Sequence, residues 1–323
     1  MKEVKVLLTP SSSGMAISAI KALRQDKNMK IISTDIDELA PGLYLSDKGY
    51  LVPPFKDESF YLTLKKIVKK EKIDVIIPCL DTILLDFSKR KKEFENVGAK
   101  VLISNQKTIE ITRDKWKTYN KLKGIIPLPK SFIKKEDIDI NYPLVMKPRC
   151  GSGSKNVYKI NSKEELDFFY KRIEKPIIQE YLEGKEYTVD CLADMNGKLI
   201  ISIPRERIET RGGISVKGKI VENKKLNEMA ERISGKLSFR GPFFFQARED
   251  VNRIPKMTEI NARIAGGMCL SSFGGLNIHI LAVRLCMGEK IEIPRIRTDL
   301  YLSRYWEEIY LTKHNMKRKV FEA

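Results

Sequence analysis

Three stretches of the sequence carry residue types whose spacing suits chemistry on a nucleotide. In the first, Tyr142–Pro148 runs as an apolar strand pattern to Lys147, and Gly151-Ser152-Gly153-Ser154-Lys155 follows. Bare backbone N–H groups approach phosphate oxygens closely, and a lysine beside them neutralises charge. The spacing is not that of a P-loop, since Lys155 is separated from Gly153 and followed by Asn156. A flexible hairpin tip is the alternative for this stretch alone. In the second, Ile177–Leu182 carries Gln179, Glu180 and Tyr181, with Glu186 just beyond. Backbone groups at Glu180 and Leu182 suit an adenine edge, and Glu186 suits ribose hydroxyls; a solvated strand end is the alternative. The third is Glu259-Ile-Asn261-Ala-Arg263. Residues i and i+2 of a strand share a face, so Glu259 and Asn261 make the hard-oxygen half-site that Mg²⁺ takes. Gln246, on the preceding hairpin strand, adds an oxygen, and Arg263 continues the face with a charge that grips phosphate. A satisfied polar edge is the alternative here.

Other chemistries find little support. There are two histidines; His279 falls on an apolar helix pattern with Leu276, Ile280 and Val283, and His314 in a polar tail. Five cysteines without a C-x-x-C argue against structural zinc or a disulfide framework and fit reduced thiols in the cytoplasm. The turn Thr9–Gly14 lacks G-x-G-x-x-G, which argues against a dinucleotide fold. Neither a signal peptide nor a membrane span is expected. The net charge of +18 favours anionic partners, nucleic acid among them. The lysines at 65–72 and 89–92, however, lie on helix faces without aromatic platforms for stacked bases.

The elements that must position these residues fall into two classes. The first third alternates strand and helix: strands at 4–8, 30–34, 73–77 and 100–104, helices at 15–24 and 58–72. That order predicts a parallel α/β sheet whose ligands gather at the strands' carboxyl ends, where Asp35 and Asp81 lie. A helix is expected over 108–123, then a linker at Pro127 and Pro129. From Tyr142 on, antiparallel hairpins with interspersed helices read as α+β. Pro204–Gly213 brings Arg205, Arg207 and Arg211 near a strand end, suited to a substrate carboxylate or acyl phosphate; a basic surface strand is the alternative.

The order Lys147, glycine loop, Gln179–Leu182, Glu186, Gln246 and Glu259-x-Asn261-x-Arg263-x-x-Gly266-Gly267 resembles the ATP-grasp superfamily. It is most similar to the carboxylate–amine ligases related to the large subunit of carbamoyl phosphate synthase. The resemblance covers nearly the whole chain, including Thr34–Asp37, Pro78–Asp81 and Thr112–Lys115. It implies a Rossmann-like pre-ATP-grasp parallel-sheet domain at 1–112, then a two-lobed ATP-grasp fold. The small lobe would span 113–185, the large lobe 186–311, and a basic tail 312–323. By the same resemblance Lys115 and Lys147 bind ATP phosphates and residues 151–155 form a lid. Gln179, Glu180, Tyr181 and Leu182 line the adenine, and Glu186 holds the ribose. Gln246, Glu259 and Asn261 ligate one or two Mg²⁺, for which Mn²⁺ can substitute, and Arg263 stabilises the transferred phosphoryl group. Many relatives have a carboxylate where Gln246 stands, which weakens or removes a second metal. Asp35, Asp81, Arg205, Arg207 and Arg211 are the substrate-side candidates. Asp35, Asp81, Glu206 and Glu209 are the candidate bases.

The reaction implied joins a small carboxylate to an amine through an acyl phosphate, releasing ADP and phosphate in the cytoplasm. A closing lid would exclude water from that intermediate. A homodimer is the assembly considered. Phosphorylation of bicarbonate or carbamate with a partner unit, release of the acyl phosphate itself, and nucleic-acid binding are the alternatives.

Overall fold

The computed structural model describes residues 3–151 and 153–322. Val4–Thr9 is apolar on both faces and buried almost throughout, the pattern of a strand covered on each side by helices. It lies inside a six-stranded parallel sheet with Met29–Asp35, Lys48–Leu51, Val75–Pro78 and Lys100–Val101. Helices Gly14–Leu23, Ser59–Glu71 and Asp81–Glu95 cover it. Ser13 caps the first of these through Ala16 N, so the chain turns into the helix directly at the strand's carboxyl end.

Two antiparallel sheets follow. A four-stranded sheet joins Ser131–Phe132, Pro176–Glu180, Leu144–Pro148 and Tyr158–Ile160. A six-stranded sheet runs in the order Pro255–Asn261, Gly241–Glu249, Glu186–Ala193, Leu199–Arg211, Ile214–Ile220, Tyr301–Ser303. The alternation of its strands separates two faces. Val189, Cys191, Phe243, Phe245 and Ile260 point into a core shared with Leu7 and Ile76 of the parallel sheet and with helix Lys224–Ser234. Each such apolar side chain contributes roughly 1.5–3 kcal/mol on burial. The opposite face carries Thr188, Gln246, Glu259 and Asn261, held in register by Thr188↔Gln246 and Gln246↔Glu259 pairing. The apolar face thus fixes, residue by residue, where the polar face presents its oxygens.

Three expectations are corrected. The helix expected over 108–123 is two helices, Gln106–Thr112 and Lys115–Leu122. Asp114 breaks it by accepting from Trp116 N and Lys117 N at 2.9 and 3.2 Å, the competition with helical bonding that Asp favours. The strand expected at 100–104 spans only Lys100–Val101. The stretch expected as a basic tail, 312–323, carries regular structure in its described residues. Lys313–Lys319 is helical and Val320–Glu322 pairs in parallel with Lys48–Leu51, closing one edge of the N-terminal sheet. Among the described residues no helix is long and apolar enough to cross a membrane.

Candidate active site

The antiparallel ladder sets Gln246 directly opposite Glu259. Asn261, two residues on, donates its amide N–H to Glu259 Oε1 at 2.9 Å, leaving its carbonyl oxygen as the ligating end. Among the described residues no group of three or more His, Cys, Asp or Glu side chains is placed to hold a metal. A cation held by Gln246, Glu259 and Asn261 would have one carboxylate and two amide oxygens from the protein. An all-oxygen set of low charge fits Mg²⁺, which takes few carboxylates and completes its shell with phosphates and water.

Lys147 reaches the same face from the four-stranded sheet. Its Nζ donates to Thr258 O at 3.2 Å. Burial, and then the neighbouring charge of Lys115, push its pKa down to about 8 against the pull of Glu259 and Glu186. A buried cation with no carboxylate bonded to it is poised to receive an anion. Lys115 opens the helix that Asp114 caps, and Arg149 braces that cap with Nη2 2.6 Å from Asp114 Oδ2. Lys115 Nζ donates to Gly151 O at 3.1 Å, so the lysine expected at the phosphates also holds the root of the glycine loop. Gly153 and Ser154 take left-handed φ values of 71° and 55°. A Cβ on Gly213, in the turn of the arginine hairpin, would lie 3.0 Å from Ser154 Oγ; the loop rests on that turn. Ser152 lies outside the described residues.

At the end expected to take adenine, Gln179 is buried and its Nε2 donates to Ser131 Oγ at 2.8 Å. The Glu180 carboxylate is paired with Lys256 Nζ at 2.6 Å, which leaves backbone groups as what this residue offers a base. The Tyr181 ring lies under Lys159, 4.3 Å from its Nζ. Glu186 is at 2.8 Å from Arg207 Nε, so ribose hydroxyls would share it with that arginine. Lys115, Lys147, Gly151, Ser154, Lys155 and Gln179 line one cleft of ≈ 230 Å³, with Glu180–Leu182, Glu186, Gln246 and Glu259.

A second chamber, of ≈ 250 Å³, opens from the far side of Gln246 and Glu259. Asp81, Arg207 and Arg263 line it. Arg263 is held by Asp81 through Nε–Oδ1 and Nη2–Oδ2 contacts of 2.5 and 2.7 Å, and its guanidinium lies over Phe244. Arg205 also touches the chamber, but its Nε and Nη2 are taken by fully buried Asp190 at 2.6 and 2.8 Å. That makes it chiefly a strut.

The remaining candidates fall elsewhere. Both oxygens of Asp35 are occupied by backbone N–H groups, Oδ2 by Ser11 and Ser12 and Oδ1 by Ile36 and Asp37. Its charge is spent on shaping the loop. Arg211 is exposed and paired with Glu209, because register shifts after Arg207 break the alternation that carries Arg205 and Arg207 inward. Glu206 faces Lys185 and Lys219, and Glu209 also pairs with Lys217. Of the four carboxylates considered as bases, only Asp81 lines the chamber. On the chamber wall, Ser13 and Gly14 belong to the turn Thr9–Gly14 at a strand's carboxyl end, where ligands are expected, and Ser215 to the stretch 205–219 expected to carry specificity; Met15 was not foreseen. His279 is buried, bonded to Ser272 Oγ at 2.9 Å and held down to about 4 by burial; it lies among structural contacts.

A family described as ATP-grasp in the biosynthetic pathway with Ter operon matches residues 172–307, and the PylC-like N-terminal domain matches residues 7–102. The chain is 25% identical over 197 residues to carbamoyl-phosphate synthase of Methanobrevibacter smithii, covering 58% of this chain and 52% of that protein. It is 25% identical over 197 residues to D-alanine–D-alanine ligase of Petrotoga mobilis, covering 52% and 65%. The match thus spans between half and two thirds of these relatives. In fold, the chain is similar to the biotin carboxylase domain of Hydrogenobacter thermophilus 2-oxoglutarate carboxylase, a dimer solved with MgADP, ADP and bicarbonate. The TM-score is 0.74 at 16% identity, over 93% of this chain and 74% of that one. Staphylococcus aureus N5-carboxyaminoimidazole synthetase, solved with ADP, gives 0.70 at 19% identity over 91% and 80%.

Proposed function

We propose that this chain, which matches an ATP-grasp family over residues 172–307 and a PylC-like N-terminal domain over residues 7–102, joins a small carboxylate to an amine at the expense of ATP, through an acyl phosphate. The observation that carries this reading is the shared wall. Gln246 and Glu259 line both the lysine-rich cleft and the arginine-lined chamber, so a γ-phosphate in one lies against a carboxylate in the other. Lys147 and Lys115 neutralise the phosphates, and the lid and the backbone of Glu180–Leu182 hold the rest of the nucleotide. Glu259, Asn261 and Gln246 would hold Mg²⁺, which supplies charge neutralisation at the transferred phosphate. A substrate carboxylate oxygen bonds to the γ-phosphorus as the β–γ bridge breaks, and Arg263 faces the charge that develops. The amine nitrogen then bonds to the acyl carbon, phosphate leaves, and the amine's proton leaves with it. Asp81 orients Arg263, and no Ser, Cys or His nucleophile is required.

Relatives whose names include D-alanine–D-alanine ligase support the amide-forming step. Free thiols at all five cysteines support a cytoplasmic location. A homodimer, the assembly of the similar carboxylase domain, belongs to the same proposal, and light scattering tests it. The experiment that tests the reaction is a panel of carboxylates and amines with Mg-ATP. ADP and phosphate formed in step with a condensed product, identified by mass spectrometry, support it. AMP and pyrophosphate, or nucleotide turnover indifferent to every carboxylate, contradict it.

A further inference from the structure

The proposed reaction brings three reactants to one point: a γ-phosphate, an acid and an amine. The cleft and the chamber account for the first two. A third cavity, of ≈ 190 Å³, borders both. It shares Lys115, Gly151 and Glu259 with the nucleotide cleft, and Asp81 and Glu259 with the chamber. Glu259 also borders a pocket of ≈ 20 Å³, which has room for water but not for a substrate. Among the cavities of the described residues that meet at Glu259, the third is thus the one of substrate size to which neither ATP nor the acid is assigned.

Its walls differ in chemistry. The partition toward the chamber carries two carboxylates, Glu259 and the Asp81 that also holds Arg263. Leu84, Ile109, Ile260 and Ala262 supply an apolar wall and belong to one buried core cluster. Arg113 follows helix Gln106–Thr112 and is exposed, which places it at the mouth. Among the described residues its guanidinium has no ion pair and no hydrogen bond. The chamber's three arginines differ in this respect, since Arg205 is paired with Asp190, Arg207 with Glu186 and Arg263 with Asp81. Lys115, the other cation of the third cavity, is bonded to Gly151 O. An unpaired guanidinium on a cavity wall presents a planar fork that matches a carboxylate. The cavity therefore offers acceptors for an amino group where it adjoins the chamber, and a carboxylate partner where it opens to solvent.

We propose that the third cavity takes the amine substrate, and that this amine is an amino acid, its amino group at the Asp81–Glu259 partition and its own carboxylate on Arg113. The inference rests on the ligase reading above and deepens it by naming the class of the amine. From the partition the nitrogen reaches the acyl carbon on a side filled by neither the nucleotide nor the acid.

The test is steady-state turnover of the full chain with Mg-ATP and a set of small acids. The amines are the common amino acids, the amide of each, and ethylamine, and condensed product is followed by mass spectrometry. For the amine that is used, the free amino acid has a kcat/KM about tenfold or more above that of its amide, the loss of one charge-assisted contact. Arg113→Ala raises the KM for the amino acid about tenfold and removes its advantage over the amide. The KM values for ATP and for the acid stay within about twofold. Thr82, exposed and on the same cavity, gives a second variant: Thr82→Leu fills space there and raises the same KM severalfold. Equal use of amino acid and amide, product from ethylamine alone, or a preference that survives Arg113→Ala overturns the inference. So does a rise in the KM for ATP or acid in place of that for the amine. No condensed product from any amine would instead count against the ligase reading, so the two failures are distinct.

Discussion

Arg263 and Asp81, 182 residues apart, are joined by two parallel contacts of 2.5 and 2.7 Å that tie the end of strand Pro255–Asn261 to the first turn of helix Asp81–Glu95. The remaining Arg263 nitrogen donates to Ile264 O at 2.9 Å. The guanidinium is thus fixed in plane and direction before any substrate arrives, which is what a group meant to meet developing charge requires. Asp81→Asn keeps the shape but loses the charge and half of the fork. We expect kcat to fall by about 10–100-fold while the KM for ATP stays within about threefold, the mark of an interaction used in the transition state. Arg263→Lys should cost more, because a lysine cannot hold the two-point geometry. Steady-state kinetics on both variants checks this.

Lys147 provides a pH signature. Its pKa falls from 10.5 in the unfolded chain to about 8 when buried, a difference equivalent to roughly 3 kcal/mol. Between those values the unfolded chain binds more protons, so ligand-free stability should rise with pH from about 8 toward 10. ATP phosphates favour the charged lysine and should reverse the trend for binding, with affinity falling as pH climbs above about 8 and a proton taken up on binding. Titration calorimetry in buffers of different ionisation heat measures that uptake. In Lys147→Met both dependences should flatten, and ATP affinity at neutral pH should drop.

Glu259 is the carboxylate among the three residues proposed to hold Mg²⁺, and Gln246 stands directly opposite it. Glu259→Ala and Asn261→Ala should each lower turnover by about 10²-fold or more without unfolding the chain. Gln246→Glu adds a second carboxylate. It should lower the Mg²⁺ concentration for half-maximal ATP binding and destabilise the metal-free chain through like-charge repulsion. Melting curves with and without Mg²⁺ read both effects.

These cases mark how far the sequence reaches. The i, i+2 relation of Glu259 and Asn261 was legible because strand parity is local, and the Lys147-glycine-loop run because its parts are contiguous. Asp35 has the right type and place, yet four backbone N–H groups consume it, and only the folded turn reveals that. Arg205 and Arg211 look alike in sequence. The cross-strand partner Asp190 and the shifts after Arg207 give one to the interior and the other to solvent. The C-terminal strand Val320–Glu322 pairs with Lys48–Leu51 across the whole chain, a long-range contact no local pattern announces.

The glycine loop, at Gly153 and Ser154, rests on the Gly212-Gly213 turn. A methyl on Gly213 would crowd Ser154 and Gly153 at 3.0 and 3.3 Å, whereas one on Gly212 would meet nothing within 4 Å. Both glycines have positive φ, so Gly212→Ala carries similar backbone strain without the clash. Gly213→Ala should raise ATP hydrolysis uncoupled from amide formation by severalfold over Gly212→Ala. Protease cleavage near residues 150–156, suppressed by Mg-ATP in the wild type, should persist in Gly213→Ala.

The central claim is that a carboxylate oxygen attacks the γ-phosphorus, and isotope transfer tests it most directly. Once the panel has named a carboxylate, that acid is labelled with oxygen-18 in both carboxyl oxygens and turned over with Mg-ATP and amine. The acyl-phosphate route predicts one labelled oxygen in each phosphate released and one retained in the amide, with ADP as the nucleotide. Unlabelled phosphate, or label found in AMP, would contradict it.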